Sequence, residues 1–135
     1  MALTKDTEYK TMGETEIIAI KAGAADVLYK GAIVNIGADG YIKVAADVAN
    51  EVTLGVMKEQ VDAKGSNVEW CEVERGIIRV PHTGAAQTDI GALFHADADD
   101  TLDDGTGAAI KAAGMCVGFD TNYIWLDFRM KTLGA

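Results

Sequence analysis

The sequence is poor in proline and cysteine, and these shortages narrow the classes of protein to consider. A single proline and two cysteines occur among its 135 residues. Two cysteines are too few for the disulfide framework of a small secreted domain. Cys71 and Cys116 both lie within apolar runs, where cysteine usually behaves as a small hydrophobic residue. We therefore predict that both thiols are reduced and lie in the core.

Residue patterns that support catalysis are also scarce. Ser66 is the only serine, which leaves little basis for a Ser-His-Asp triad. The chain has no Gly-x4-Gly-Lys-[Ser/Thr] phosphate loop and no CxxC pair. His82 and His95 are interpreted as surface or half-buried residues rather than as metal ligands. The sequence therefore predicts a protein that is not an enzyme and that has neither cofactor nor metal.

Positive charge and long apolar segments are in short supply as well. Twelve Lys and Arg face 21 Asp and Glu, which gives a formal net charge of −9. This balance disfavours binding to nucleic acid and to anionic membranes. No apolar stretch approaches the roughly 18 residues of a membrane span, and the first residues do not resemble a secretion signal. We expect neither nucleic acid nor membrane as a partner.

Glycine and short apolar runs are abundant instead. Fifteen glycines and a hydrophobic fraction of 49% indicate many tight turns between short strands around one core. We predict an all-β fold, either a small β-barrel or a β-sandwich, with short turns and little helix. The predicted strands are 15–22, 32–36, 41–45, 52–57, 68–80, 91–96, 108–112, 115–119 and 122–130. The Asp39-Gly40 turn predicts a hairpin between the second and third of them.

The chain is predicted to consist of an N-terminal arm at residues 1–14 and a single β-rich domain at residues 15–135. Residues 1–14 are mostly polar and have no apolar period, so we expect this arm to be flexible when the protein is alone. Such an arm can become ordered on a partner at an entropic cost.

The densest acidic cluster lies between residues 97 and 107. Its members are Asp97, Asp99, Asp100, Asp103 and Asp104. Counting from Asp97, Leu102 and Ala108 occupy the positions where an EF-hand requires glycine and glutamate. We interpret the segment as a solvated acidic loop. A looser cation site is the alternative interpretation.

Several short motifs follow one another in order along the chain. They are Ala22-Gly23, Gly31-Ala32, Asp39-Gly40-Tyr41, Gly55-Val56, Val68-Glu69, Val73-Glu74-Arg75-Gly76, Gly91 to Phe94, Val117-Gly118 and Trp125-Leu126-Asp127. Over residues 15–130 this order resembles the small decoration, or cement, proteins of tailed-phage capsids.

The resemblance implies a β-rich domain on the outer surface of an icosahedral, HK97-type capsid. It implies the major capsid protein and further copies of the same chain as partners, commonly in a homotrimer. Such a protein is made in the host cytoplasm and ends in the virion. Binding to the assembled lattice would stabilise that lattice by mass action.

Two alternatives to a decoration protein stay open. One is another β-barrel part of the virion, such as a tail-tube or head-completion protein. The other is a non-viral metal-binding or ligand-binding β-barrel. Candidate residues for contact with the capsid or with another subunit are Leu3, Tyr9, Met12, Trp70, Tyr123, Trp125 and Arg129. Large aromatic residues lead this set because they dominate binding energy at interfaces.

Overall fold

The structure is a computed structural model, and it describes residues 3, 5–23, 27–62, 69–105, 107, 109–110 and 112–129. It confirms the predicted all-β class. The strands are β1 (Thr11–Ala22), β2 (Val27–Leu28), β3 (Ile33–Ile36), β4 (Ile42–Val44), β5 (Val52–Met57), β6 (Val61–Asp62), β7 (Glu69–Pro81), β8 (Leu93–Ala98), β9 (Thr101–Asp104), β10 (Gly114–Phe119) and β11 (Tyr123–Asp127). A single 3₁₀ turn at Gln87–Asp89 is the helical element of these residues.

Five of the strands close into a small barrel. Their order is β1-β4-β3-β5-β7, and pairing of β7 with β1 completes the ring. Closure removes the exposed edges that an open sheet would present. The barrel core is built from the buried side chains of Ala22, Leu28, Ala32, Val34, Ile42, Leu54, Met57, Cys71 and Val73.

A second sheet continues from the barrel in the order β7-β11-β10-β8-β9. The second core includes the buried side chains of Ile33, Val56, Ile78, Val80, Phe94, Ala96, Leu102, Cys116, Ile124, Leu126 and Phe128. Strand β3 belongs to both cores, because Ile33 lies in the second core and its neighbour Val34 in the barrel core. Alternate side chains of a strand point to opposite faces, so this barrel wall separates the two cores.

Strand β7 changes its buried face at Gly76. Cys71 and Val73 are buried before the glycine, and Ile78 and Val80 are buried after it. Gly76 has φ of 152°, a conformation that other residues rarely adopt. At this glycine the chain therefore passes from one core to the other within one continuous strand. Trp70, near the start of the strand, is 66% exposed.

The first strand begins earlier than predicted. Strand β1 starts at Thr11 instead of residue 15, because Thr11 and Met12 pair with the second half of β7. The register shifts between Met12 and Glu16, so the two halves of β1 follow the two halves of β7. The end of the expected arm is thus strand. Flexibility of the preceding residues in solution stays a prediction.

The acidic segment is a hairpin, which corrects the predicted loop at residues 97–107. Strands β8 and β9 pair around a turn at Asp99 and Asp100. Leu102 is buried, and this one apolar side chain holds the acidic strand on the core. Two further strands, β2 and β6, were not predicted. Residues 109, 110 and 112 are not in a strand, contrary to the prediction for 108–112.

The Asp39-Gly40 hairpin is confirmed as the connection between β3 and β4. Strands β5, β7, β10 and β11 lie close to their predicted positions. The sequence also predicts a polar loop at residues 64–67, which lies outside the described residues, as does the last residue of the predicted strand 122–130.

Candidate functional site

One side of the second sheet, together with the start of β1, carries apolar and aromatic side chains that are half-buried or exposed. Met12 pairs with Ile77 across β1 and β7, and Arg79 pairs with Trp125 across β7 and β11. Tyr123 pairs with the last residue of β7. Directly paired residues point to the same face of a sheet. These five residues form a surface that we call the outer-sheet face, and Met12 is 46% exposed on it.

Charged groups are fixed on or beside the outer-sheet face. The guanidinium of Arg79 lies 4.1 Å from the ring centroid of Tyr123, which is a cation–π geometry. Arg129 donates from Nε to Oδ1 of the buried Asp127 at 3.1 Å. This hydrogen bond raises the pKa of the Arg129 guanidinium. Met12, Tyr123, Trp125 and Arg129 are thus brought together as predicted candidates, whereas Arg79 was missed.

Trp70 belongs to a different surface, which we call the barrel face. It pairs with Lys21 across the β1–β7 ladder, and the Lys21 ammonium lies 5.3 Å from its ring centroid. Ile17 lies on the same side of β1 and is 41% exposed. The barrel face thus carries two large exposed apolar side chains, Trp70 and Ile17, on the antiparallel β1–β7 ladder.

Leu3 and Tyr9 lie against the domain. The Leu3 amide donates to Oδ1 of Asp99 at 2.9 Å, and the Tyr9 hydroxyl donates to Oε1 of Glu74 at 2.7 Å. Burial and the Glu74 carboxylate raise the pKa of Tyr9. A cavity of about 90 Å³ lies beside both residues, well below the roughly 300–1,000 Å³ of typical ligand pockets.

Buried polar side chains form a satisfied network beside the β4–β5 connection. Asn35 donates to Oε1 of Glu51 at 3.1 Å and to the carbonyl of Ala46 at 3.0 Å. Thr53 donates to Oδ1 of Asn35 at 2.6 Å, and Lys43 donates to Oε2 of Glu51 at 2.9 Å. Each named donor therefore meets an acceptor, which is the usual condition for polar burial.

A second polar cluster lies at the other end of the same connection. It consists of Asp47, His95 and Asp97, with one ligand-type atom from each within 4.8 Å of the others. His95 is 7% exposed, so the interpretation of this histidine as a surface or half-buried residue is wrong. Its Nε2 lies 2.9 Å from Oδ1 of Asp97, and its Nδ1 lies 3.1 Å from the carbonyl oxygen of Gly105. Nitrogen and carboxylate ligands at such spacing suit a metal ion as well as a hydrogen-bonded pair.

Sequence reasoning missed this second cluster. The signal was the His-x-Asp spacing at residues 95 and 97, which places both side chains on one face of a strand. Asp47 had no such signal, because it is 48 residues away along the chain and only folding brings it close. Of the acidic residues predicted as a possible loose cation site, Asp97 alone belongs to the cluster.

The two cysteines are free and buried, as predicted. Burial raises the pKa of the Cys71 thiol to about 11 and also raises that of Cys116. A nucleophilic cysteine needs the opposite shift, because the thiolate is the reactive form. The geometry of both thiols is that of core packing.

Comparisons with known proteins identify no relative: no family model, no curated protein and no solved structure matches the chain. Within the described part of the chain, no helix is long and apolar enough to cross a bilayer.

Proposed function

We propose that this chain is a structural virion protein that binds the outer surface of an icosahedral, HK97-type phage capsid and stabilises it as a decoration protein. It contacts the major capsid protein, associates with copies of itself as a homotrimer and catalyses no reaction. The serial order of motifs along residues 15–130 supports this proposal, together with an all-β domain built on two packed cores.

The observation on which the proposal chiefly rests is the exposure of Trp70. A tryptophan that is 66% exposed on a paired ladder contributes little to the core of its own chain. Tryptophan, tyrosine and arginine are the residues that most often dominate binding energy at protein interfaces. The barrel face therefore suits contact with a capsid subunit, and the outer-sheet face suits contact with a neighbouring copy.

A domain of this kind can stabilise a capsid by binding alone, without catalysing a reaction. Binding to the assembled lattice, and not to free subunits, lowers the free energy of the lattice by mass action. Contacts from several linked copies add through effective concentration. Weak individual interfaces are then sufficient.

The test is co-sedimentation of the purified chain with expanded capsids assembled from the major capsid protein of the same genome. Trp70→Ala is expected to weaken binding at least about tenfold, since it removes a hot-spot side chain. Tyr41→Ala is the matched control, because Tyr41 is an exposed aromatic residue, 38% accessible, at the hairpin after β3. It is expected to change binding by less than about twofold.

Light scattering on the same proteins separates the two surfaces. Trp125→Ala is expected to shift the trimer towards monomer, whereas Trp70→Ala leaves the trimer intact. Wild-type protein that ignores expanded capsids would contradict the proposal, and assembly of the pure chain into tubes would favour the tail-tube alternative. Deletion of residues 1–14 is a poorer test, because it removes the start of β1.

A further inference from the structure

The Asp47–His95–Asp97 cluster is formed by two separate parts of the chain. His95 and Asp97 lie on β8, and Asp47 lies on the connection between β4 and β5. The β8–β9 register shifts between Ala96 and Ala98, so Asp97 sits at a β-bulge. Bulges re-aim a side chain and are common beside functional sites. Here the bulge accompanies the 2.9 Å approach of Asp97 Oδ1 to His95 Nε2.

The hydrogen bonds of His95 are unbalanced if the imidazole is neutral. Its two ring nitrogens face two acceptors, the Gly105 carbonyl and the Asp97 carboxylate. A neutral imidazole has one N–H and can satisfy only one of them. If Nδ1 donates to Gly105, the lone pair of Nε2 points at the Asp97 carboxylate. A metal ion bound to both atoms would resolve the conflict, with the two atoms moving apart from their 2.9 Å hydrogen-bond distance.

Donation by the second ring nitrogen to a backbone carbonyl is the usual arrangement of a metal-bound histidine, because it sets the tautomer and aims the other nitrogen. The Asp47 carboxylate is also held in place by hydrogen bonds. Asp47 Oδ1 accepts hydrogen bonds from the amides of Ala109 and Ile110 at 2.8 Å and 2.7 Å. The backbone at Gly107 also approaches Asp47 so closely that a Cβ there would lie 2.5 Å from its carboxylate.

We propose that Asp47, His95 and Asp97 bind one divalent transition-metal ion of the Zn²⁺ class. One imidazole nitrogen and two carboxylate oxygens are a donor set that Zn²⁺ accepts, with water completing the shell. Bond lengths of about 2.0–2.2 Å require ligand atoms roughly 3–4 Å apart. The Nε2–Oδ1 pair lies closer than this, at 2.9 Å, and all three ligand atoms lie within 4.8 Å of one another, so metal binding requires small shifts of the side chains. Ca²⁺ and Mg²⁺ prefer all-oxygen shells, so the buried imidazole selects against them.

The bound ion joins the barrel to the second sheet. Asp47 is on the barrel side, and β8 is in the second sheet. The ion would also tie down the backbone at Gly105, Ala109 and Ile110, whose polar groups contact its ligands. The role is structural and does not depend on the proposed capsid function.

The first experiment is calorimetric titration of the full chain with ZnCl₂ after treatment with EDTA. One site per chain is expected, and Asp97→Asn is expected to weaken it at least about tenfold. The matched control is Asp104→Asn, an exposed carboxylate on the edge strand β9, with a change below about twofold. Thermal unfolding of each metal-free variant shows that it is folded. Absence of a stoichiometric site, or equal loss in the control, overturns the proposal.

The second experiment distinguishes a metal ligand from a protonated histidine paired with Asp97. The chain has two histidines, so His82 is an internal reference in ¹⁵N spectra of the imidazole rings. Addition of Zn²⁺ is expected to shift Nε2 of His95 and leave His82 in place. If both nitrogens of His95 keep their protons in excess Zn²⁺, the cluster is an ion pair and the proposal is wrong.

Discussion

Two carboxylate clusters flank the short connection between β4 and β5, and they differ in how well their donors match their acceptors. Glu51 lies in the first cluster, where Asn35 and Lys43 donate to its two oxygens. Asp97 lies in the second, where a buried imidazole faces acceptors on both sides. Matched groups of the first kind hold the fold together. A buried imidazole between two acceptors, beside a second carboxylate, is where we propose the metal ion.

The same contrast distinguishes what each cluster contributes to stability without added ions. The Glu51 network is complete in the protein alone, so its loss should be felt in any buffer. The Asp47–His95–Asp97 cluster has hydrogen bonds of its own, and the proposed ion would add to them, so part of its contribution should depend on metal. Two substitutions test this difference, and a third tests a buried carboxylate outside both clusters; they follow in order of decreasing effect.

The largest effect is expected from Glu51→Ala. The substitution removes one acceptor of the buried Asn35 amide, which keeps its bond to the Ala46 carbonyl, and the partner of Lys43, whose side chain is 42% exposed. A buried donor that loses its acceptor is destabilising. We expect the free energy of unfolding to fall by about 2–3 kcal/mol, measured by urea denaturation. Glu59→Ala, at an exposed position, is the control and should cost less than about 0.5 kcal/mol. Equal losses would show that the first cluster is no more structural than the surface.

A smaller effect is expected from Gly107→Ala. The added Cβ would displace the Asp47 carboxylate, and overpacking of this kind costs about 1–2 kcal/mol. Excess Zn²⁺ should stabilise this variant less than wild type, since Asp47 is moved. In an Asp47→Ala background the same substitution should cost less than about 0.5 kcal/mol, because the clash is gone. A cost that persists in that background would place the strain elsewhere.

The smallest effect is expected from Asp99→Asn. Asp99 is a buried carboxylate that accepts a hydrogen bond from the Leu3 amide. Burial raises the pKa of Asp99 above its ordinary value, so the folded chain binds this proton more tightly than the unfolded chain. The resulting stability is present below the ordinary carboxyl pKa and is lost as pH rises through the raised pKa.

The asparagine keeps an oxygen to accept the Leu3 amide and removes this titration. We therefore expect the variant to exceed wild type most clearly at pH 7 and to show a flatter dependence of the urea midpoint between pH 4 and pH 7. Asp39→Asn at an exposed turn is the control for the same chemical change. If the urea midpoints of wild type and of Asp99→Asn depend on pH equally steeply, the ionised Asp99 does not oppose folding.

Local patterns were sufficient for much of the fold. The strand predicted at 122–130 is present as β11, in which the buried Ile124 and Leu126 alternate with the half-buried Tyr123 and Trp125, since side chains of a strand alternate between faces. The Asp-Gly pair correctly predicted the β3–β4 hairpin. The acidic hairpin was mistaken for a loop, because the single buried Leu102 is too weak a signal among four surrounding aspartates.

The candidate sites divide in the same way. Tyr123 and Trp125 share a face because they lie two residues apart on one strand. The same spacing brings His95 close to Asp97, although that contact was not predicted. Met12 and Arg79 join the outer-sheet face only because β1 and β11 flank β7. Asp47 joins His95 only because the barrel packs against the second sheet.

The amino-acid order alone is thus enough to specify an acidic all-β chain with short turns, since composition and period-2 alternation act over a few residues. The two-core arrangement and the Asp47–His95–Asp97 cluster are decided by tertiary structure. Both depend on strand pairings between distant segments, and no local pattern states which strand lies beside β7. Gly76 shows the limit most clearly: it lies within the predicted strand 68–80, and only the folded structure shows that the chain passes there from one core to the other.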